Sequence, residues 1–315
     1  MSFDMTFPLV VLAAYGLCNL LLSAAVGLAW RVGLRKRLTG ADAVLGVRLL
    51  PAMGSATFVL TVVLPAFLVY EPPHAQDHPG PLLVASALFA LLVLADGARR
   101  GLRAWRATRA LVGSQPLRGR RAADGDEVTV IDVSEPLVGV VGSWKQRIIA
   151  ARCVATACDH EEFRQVLAHE AAHRDARDNL KRLLLLILPD ALAWLPTGRA
   201  LAEHWRAATE LEADERASGA DPHKRVALAS ALIKVARLSV ASGRPRKVVP
   251  QAARPGVPLA SLERRVRRLL APSAAMRRNF PGRRVLTCAL LVPLLAVPLY
   301  GSVHRLIEAL VAFGR

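Results

Sequence analysis

Residues 159–173, DHEEFRQVLAHEAAH, carry the signals from which the rest of the chain is read. Asp159 and Glu162 stand in the D-x-x-E spacing in which each side chain satisfies an orphan amide of a helix's first turn, so a helix is expected to begin near His160. Phe163, Val166, Leu167 and Ala171 recur at helical spacing and give that helix one apolar face. His169 and His173 are then i and i+4, so two imidazoles can reach one metal ion, and Glu170 between them is placed to take a proton from a water.

Downstream, a second helix is expected from Thr197 to about Ser218, with Leu201, Trp205, Ala208 and Leu211 as its inward stripe. It carries Glu210 and Asp214, again i and i+4, so one carboxylate can bind a metal while the other accepts the ring N–H of a ligating histidine. Glu210 is the expected third ligand, with Glu212 its rival, and Asp214 the expected ring acceptor. Two histidines and a glutamate leave a position open, as in catalytic rather than structural zinc sites. Zn²⁺ is the expected cofactor, although a nitrogen and oxygen donor set also accepts other first-row ions. His204 and Arg206, near Glu210 in sequence, are candidates for stabilising an oxyanion, and both are also ordinary residues for the surface of such a helix.

Further helices are expected from Lys224 to Val240 and around Leu262, Val266, Leu269 and Leu270. Between them, 243–258 holds four prolines and reads as a linker. Upstream of the motif, the short β-branched runs 128–133, 137–141 and 147–151 read as strands of a small sheet, after a polar linker containing Pro116 and Gly125.

The chain ends of this unit meet apolar segments. Of 315 residues, 53% are hydrophobic, and spans are expected at about 7–30, 46–70 and 81–98, with a fourth in 285–315. Arg31, Arg35, Lys36 and Arg37 follow the first, Arg99, Arg100, Arg103, Arg106 and Arg109 follow the third, and Arg277, Arg278, Arg283 and Arg284 precede the fourth. Cations stay on the cytoplasmic side, so 99–284 is expected in the cytoplasm and both chain ends outside. No basic leader with a cleavage site is evident, so the first span is expected to stay as an anchor. The stretch 183–196 is apolar but interrupted by Pro189 and Asp190, and its length suits a core or interfacial helix.

The formal charge of +17 raises nucleic acid as a partner. The arginines concentrate beside the spans, and aromatic residues make up only 5%, so anionic lipid is the expected partner and nucleic acid is not. Cys18 and Cys288 fall in expected spans and Cys153 and Cys158 in a reducing compartment, a distribution that fits small buried residues.

H-E-A-A-H, then Arg177-Asp178-Asn179, then E-L-E-A-D resembles the gluzincin membrane peptidases, most closely the BlaR/MecR-like family. Ala213 is similar to the E-x-x-A-D form of HtpX-type and CAAX prenyl proteases. The resemblance implies three spans, a cytoplasmic zinc-protease insert and a fourth span; the family's extracellular penicillin-binding sensor follows that span, and with about a dozen residues after Tyr300 it is not expected here. The fold expected is therefore an α-helical membrane protein with a cytoplasmic α+β zincin domain, divided as 1–98, 99–284 and 285–315. The expected activity is zinc-dependent endopeptidase cleavage at the inner membrane. His169, His173 and Glu210 would hold the metal, Glu170 would be the base, and Asp214 would orient a ligand. The resemblance further implies a peptide laid along an edge of the 128–151 sheet, a repressor or small membrane-bound protein as target, and a separate sensor protein as partner. Broad quality-control proteolysis and a non-enzymatic zinc-stabilised signalling module are the alternatives.

Overall fold

Long apolar runs with few charges dictate the first elements. Helix α1 (Phe3–Ala29) runs on through Trp30–Leu34, where Gly33 at φ 145° kinks the chain, into Arg35–Arg37. Helix α2 (Ala41–Phe58) continues through a π-turn at Val59–Val63 into Leu64–Tyr70, and α3 covers Pro81–Gly113. The computed structural model describes residues 3–70, 80–113, 119–121, 127–133, 135–241, 259–271, 301 and 305. Within them, Phe7–Arg37, Ala41–Val69 and Pro81–Ala107 are each long and apolar enough to cross a membrane, which places all three expected spans on helices. The fourth expected span, apart from Gly301 and Arg305, and the linker 243–258 lie outside the described residues.

The described residues form two compact units. One gathers the chain up to Arg100 with Ile187–Trp205, and the other holds Gly101–Leu186 with Arg206–Arg277. Residues 187–205, read from sequence as part of an unbroken insert over 99–284, thus cluster with the three long helices. In that unit Val10, Ala13, Val59, Val63, Phe67, Leu83 and Ala87 form a buried core joining α1, α2 and its continuation, and α3.

The second unit is built on a sheet of β1 (Gly119–Arg121), β2 (Glu127–Ile131), β3 (Val138–Val141) and β4 (Arg147–Ala151), in the order β1-β2-β4-β3. β2 and β4 are parallel, while β1 and β3 are antiparallel edges. Three of these strands fall on the expected runs. β1 does not: Gly-Arg-Arg has no apolar alternation, and only backbone pairing with β2 makes it a strand. The β3–β4 turn requires glycine at 142, where φ is 94° and a Cβ would lie 2.3 Å from the Lys145 carbonyl oxygen.

Helices α4 (Arg152–Ala157), α5 (His160–Asp175), α6 (Asp178–Ile187), α7 (Pro196–Ser218), α8 (Pro222–Ala241) and α9 (Leu259–Leu270) follow, with a short 3₁₀ turn at Ala191–Trp194. The capping box forms as expected: the Glu162 amide donates to Asp159 Oδ1 and the Asp159 amide to Glu162 Oε2, both at 2.9 Å. Leu167, with Phe163 and Ala171, packs α5 on Val128, Val140, Ile148 and Ala150 of the sheet. Val166 joins a second cluster with Ile131, Leu137, Ala151, Val154, Cys158 and Ala231. Truncating Leu167 to alanine removes one side of the first cluster, a change that costs about 2–5 kcal/mol at buried sites. Glu162 also ties α5 to α8, accepting from Ser230 Oγ and Lys234 Nζ, both at 2.6 Å. The helix that carries the H-E-x-x-H motif is thereby held from the sheet side and from α8.

A candidate metal centre

On α5, His169 is buried and His173 half-buried, and one helical turn sets their Nε2 atoms 3.2 Å apart. From α7, Glu210 brings Oε2 to 3.6 Å from His169 Nε2 and Oε1 to 3.8 Å from His173 Nε2. A tetrahedral ion bound at about 2.0–2.2 Å sets its ligands about 3.3–3.6 Å apart, so these three donors fit one small cation with little movement. Among the described residues the expected ligand set is therefore brought together. Glu212, the sequence rival, instead accepts from Arg216 at 2.8 Å.

Each imidazole is backed by a carboxylate. Asp214 Oδ1 lies 3.0 Å from His169 Nδ1, in a bent contact, where sequence reading placed a ring acceptor. His173 Nδ1 has a partner that was quoted in the sequence but given no role: Asp178 Oδ2, at 2.7 Å. Asp178 is five residues from His173, off the helical i+4 register, and it arrives because α5 stops at Asp175. Arg177 then takes a left-handed conformation, φ 53°, that turns the chain back before α6. Such a residue costs about 1–2 kcal/mol, strain held in place by the surrounding contacts. The Asp178 contact turns the His173 ring so that its Nε2 faces His169 and Glu210.

The structure adds Arg265, from α9, which sequence reasoning missed. Its Nε and Nη2 grip both oxygens of Asp214 at 2.7 and 2.6 Å, and its Nη1 donates to Glu210 Oε2 at 2.8 Å. Nη2 also lies 3.4 Å from His169 Nε2. The side chains of Arg265 and Asp214 are each 5% exposed, so the bidentate pair is shielded from water. The signal available in sequence was an arginine interrupting the apolar stripe of an amphipathic helix, at the position between Leu262 and Leu269 that faces inward.

Charge follows geometry. Burial works against a charged His169, yet the carboxylates of Asp214 and Glu210 against its ring outweigh burial and push its pKa up to about 9. Burial likewise opposes charge on Glu210 and Asp214, but Arg265 and His169 hold both well below the usual carboxylate range. Arg265 is held above its ordinary value by Glu210 and Asp214 against the opposing effect of burial. Glu170, Glu210 and Asp214 thus bear on the Arg265 guanidinium, while Asp178 lies against His173 and 3.7 Å from Lys181. Glu170 is half-buried beside His169 in sequence and adds to the field at Arg265.

The two expected oxyanion candidates sit otherwise. His204 belongs to the other unit, where its Nε2 donates to the Leu38 carbonyl at 2.8 Å and its ring meets Trp30 edge-on. Arg206 stands one turn before Glu210 on α7.

The sheet edge beside the site is also partly engaged. Ala151 N donates to Leu137 O, and the β3–β4 register makes 137, 139 and 141 the hydrogen-bonded residues, so Val138, Val140 and Gly142 face outward. Asn179, adjacent to Asp178, donates Nδ2 to two of these outward carbonyls, Val140 O at 2.7 Å and Gly142 O at 3.1 Å. Comparison with protein-family models, curated proteins and solved structures finds no match for this chain.

Proposed function

We propose that the chain is a membrane-embedded zinc endopeptidase, with its site on the face where Arg31–Arg37 and Arg99–Arg106 lie, the cytoplasmic face by the charge rule. A fourth span within 285–315 belongs to the same proposal. The observation that carries it is the arrangement of His169, His173 and Glu210 at tetrahedral spacing, each histidine backed by a carboxylate, with Glu170 on the same helix turn.

Bound zinc would supply a Lewis acid that polarises a peptide carbonyl and favours loss of a proton from water. The rest falls to the chain's residues. Glu170 takes the proton from the attacking water and returns it to the leaving amine, a role worth about 10²–10⁴-fold in rate. Asp178 holds the His173 imidazole in the ligating tautomer, and Asp214 lies against the His169 ring. Arg265 keeps Glu210 aimed by occupying one of its oxygens. A substrate strand laid against β3 pairs with Val138 and the Val140 N–H, because Asn179 already engages the Val140 and Gly142 carbonyls. The target, on the resemblance to BlaR/MecR-like proteins, is a repressor or small membrane-bound protein.

The test is metal content and casein cleavage by purified wild type and Glu170→Gln. The expected result is one zinc in each and cleavage only by wild type. Zinc without Glu170-dependent cleavage of any substrate supports the signalling-module alternative, and absence of metal binding removes the centre altogether.

A further inference from the structure

Residues 187–195 leave regular helix after Ile187 and re-enter it at Pro196, and their polar groups are satisfied by side chains of the long helices. Tyr15 Oη donates to the Pro189 carbonyl at 2.7 Å, and Asn19 Nδ2 donates to the same oxygen at 3.2 Å. Asn19 Oδ1 accepts from the Ala191 amide at 2.9 Å. Arg48 Nη1 pairs with Asp190 Oδ2 at 2.8 Å, both side chains at most 5% exposed, while Asp190 Oδ1 accepts from the Ala193 amide at 2.8 Å. On α3, Gly97 approaches so closely that a Cβ there would lie 2.7 Å from the Ile187 carbonyl, and Asp96 accepts from Trp194 Nε1 at 2.9 Å.

All of these partners lie in the three stretches able to cross a membrane. Asn19 precedes Arg31 by twelve residues and Arg48 follows Ala41 by seven, about 18 and 10 Å along their helices, against a hydrocarbon half-thickness of about 15 Å. The segment begins at the level of Gly97, close to Arg99 and Arg100. It reaches Tyr15 and Asn19, and the chain returns by His204 to the carbonyl of Leu38, just past Arg37. Its entry and exit therefore share the basic side. Irregular backbone survives in hydrocarbon only where protein satisfies it, as Tyr15, Asn19 and Asp190 do here. Ile187, Trp194 and Leu195 are 37%, 43% and 41% exposed, an apolar outer surface around a polar, hydrogen-bonded interior.

We infer that residues 187–195 form a re-entrant loop that dips into the membrane from the side of Arg31–Arg37 and returns to it. Lipid acyl chains cover Ile187, Trp194 and Leu195, and the Arg48–Asp190 pair fastens the loop inside. The loop is thus a membrane-inserted anchor at the start of α7, independent of whether the protein cleaves peptides.

Three measurements on the full chain in vesicles test this. A photoreactive phenylalanine analogue placed at Ile187 or Leu195 is expected to yield lipid adducts, while the same analogue at Trp144, 81% exposed in the β3–β4 turn, yields none. Adducts no more frequent at 187 and 195 than at 144 would overturn the insertion. Epitopes inserted at Trp144 and at Gly219 are expected on the same face of sealed vesicles, and opposite faces would mean a full crossing. Finally, Arg48→Met alone is expected to lower the melting temperature by roughly 5–10 °C, with Arg48→Met/Asp190→Leu restoring it, because breaking a buried pair costs far more than replacing it. A single variant as stable as the double one would remove the pair from its fastening role.

Discussion

Arg265–Asp214 and Arg48–Asp190 are both buried arginine–aspartate pairs, but their surroundings differ in charge. Arg265 grips Asp214 with two nitrogens and faces further carboxylates at Glu210 and Glu170. Arg48 meets Asp190 through a single nitrogen, and the second Asp190 oxygen is occupied by a backbone amide. The first assembly keeps excess negative charge beside two imidazoles, an arrangement that stability alone does not require. The second sets one cation against one anion. Carboxylates gathered beside two imidazoles form a group that could hold a cation, whereas a one-to-one pair serves as a joint in the architecture.

That contrast can be broken most directly by removing each arginine and adding zinc. Arg265→Met is expected to destabilise the metal-free protein by about 3–5 kcal/mol, since it leaves buried carboxylates uncompensated. Zinc then restores much of the loss, seen as a larger zinc-induced rise in melting temperature than in wild type. Arg48→Met is expected to show no such zinc rescue. Equal responses in the two variants would erase the distinction.

A smaller effect is expected at Asp178, which belongs to the charged assembly through His173 alone. Asp178→Asn lowers zinc affinity about 10–100-fold in a competition titration, with the fold retained. An unchanged affinity would mean that the His173 ring is oriented by something else.

Smaller again is the contribution of Glu162, which joins α5 to α8 without touching the metal ligands. Burial opposes its charge, but Lys234, Ser230 and the Asp159 amide hold its pKa below the ordinary value of 4.5. A depressed carboxylate contributes stability that is present above its unfolded pKa and lost as pH falls through the folded one. Chemical denaturation from pH 7 down to pH 3 is thus expected to show a loss in wild type that Glu162→Gln lacks, with a cost for the variant of about 1 kcal/mol at pH 7. Asn179→Leu should change least in stability. Its expected signature is an altered KM for extended peptides with zinc content unchanged, since it frees two edge carbonyls; an unchanged KM would take Asn179 out of substrate docking.

The pattern of what was legible follows the range of the interactions. Asp159 and Glu162 announced the start of α5 because a capping box is complete within four residues, and His169 and His173 share a face by helical geometry alone. The three apolar stretches needed only their length. Asp178 was harder, because its carboxylate reaches His173 through a left-handed residue at Arg177 that no periodicity signals. For Arg265 the local sign was only its place in the apolar stripe of α9: it lies 96 residues from His169 and 51 from Asp214, and the packing of α9 brings it there.

Residues 187–195 show the same division most clearly. Pro189 and Asp190 interrupt an apolar run, which by composition fits a core or interfacial helix. Tyr15, Asn19 and Arg48 supply the hydrogen bonds that let irregular backbone sit among the long helices. Short-range pattern was enough to place helices, strands and two histidines on one helix face, since each depends on neighbours along the chain. The charge balance of the centre and the placement of the loop came only with tertiary packing, because a buried polar group is tolerated or not according to partners that are distant in sequence.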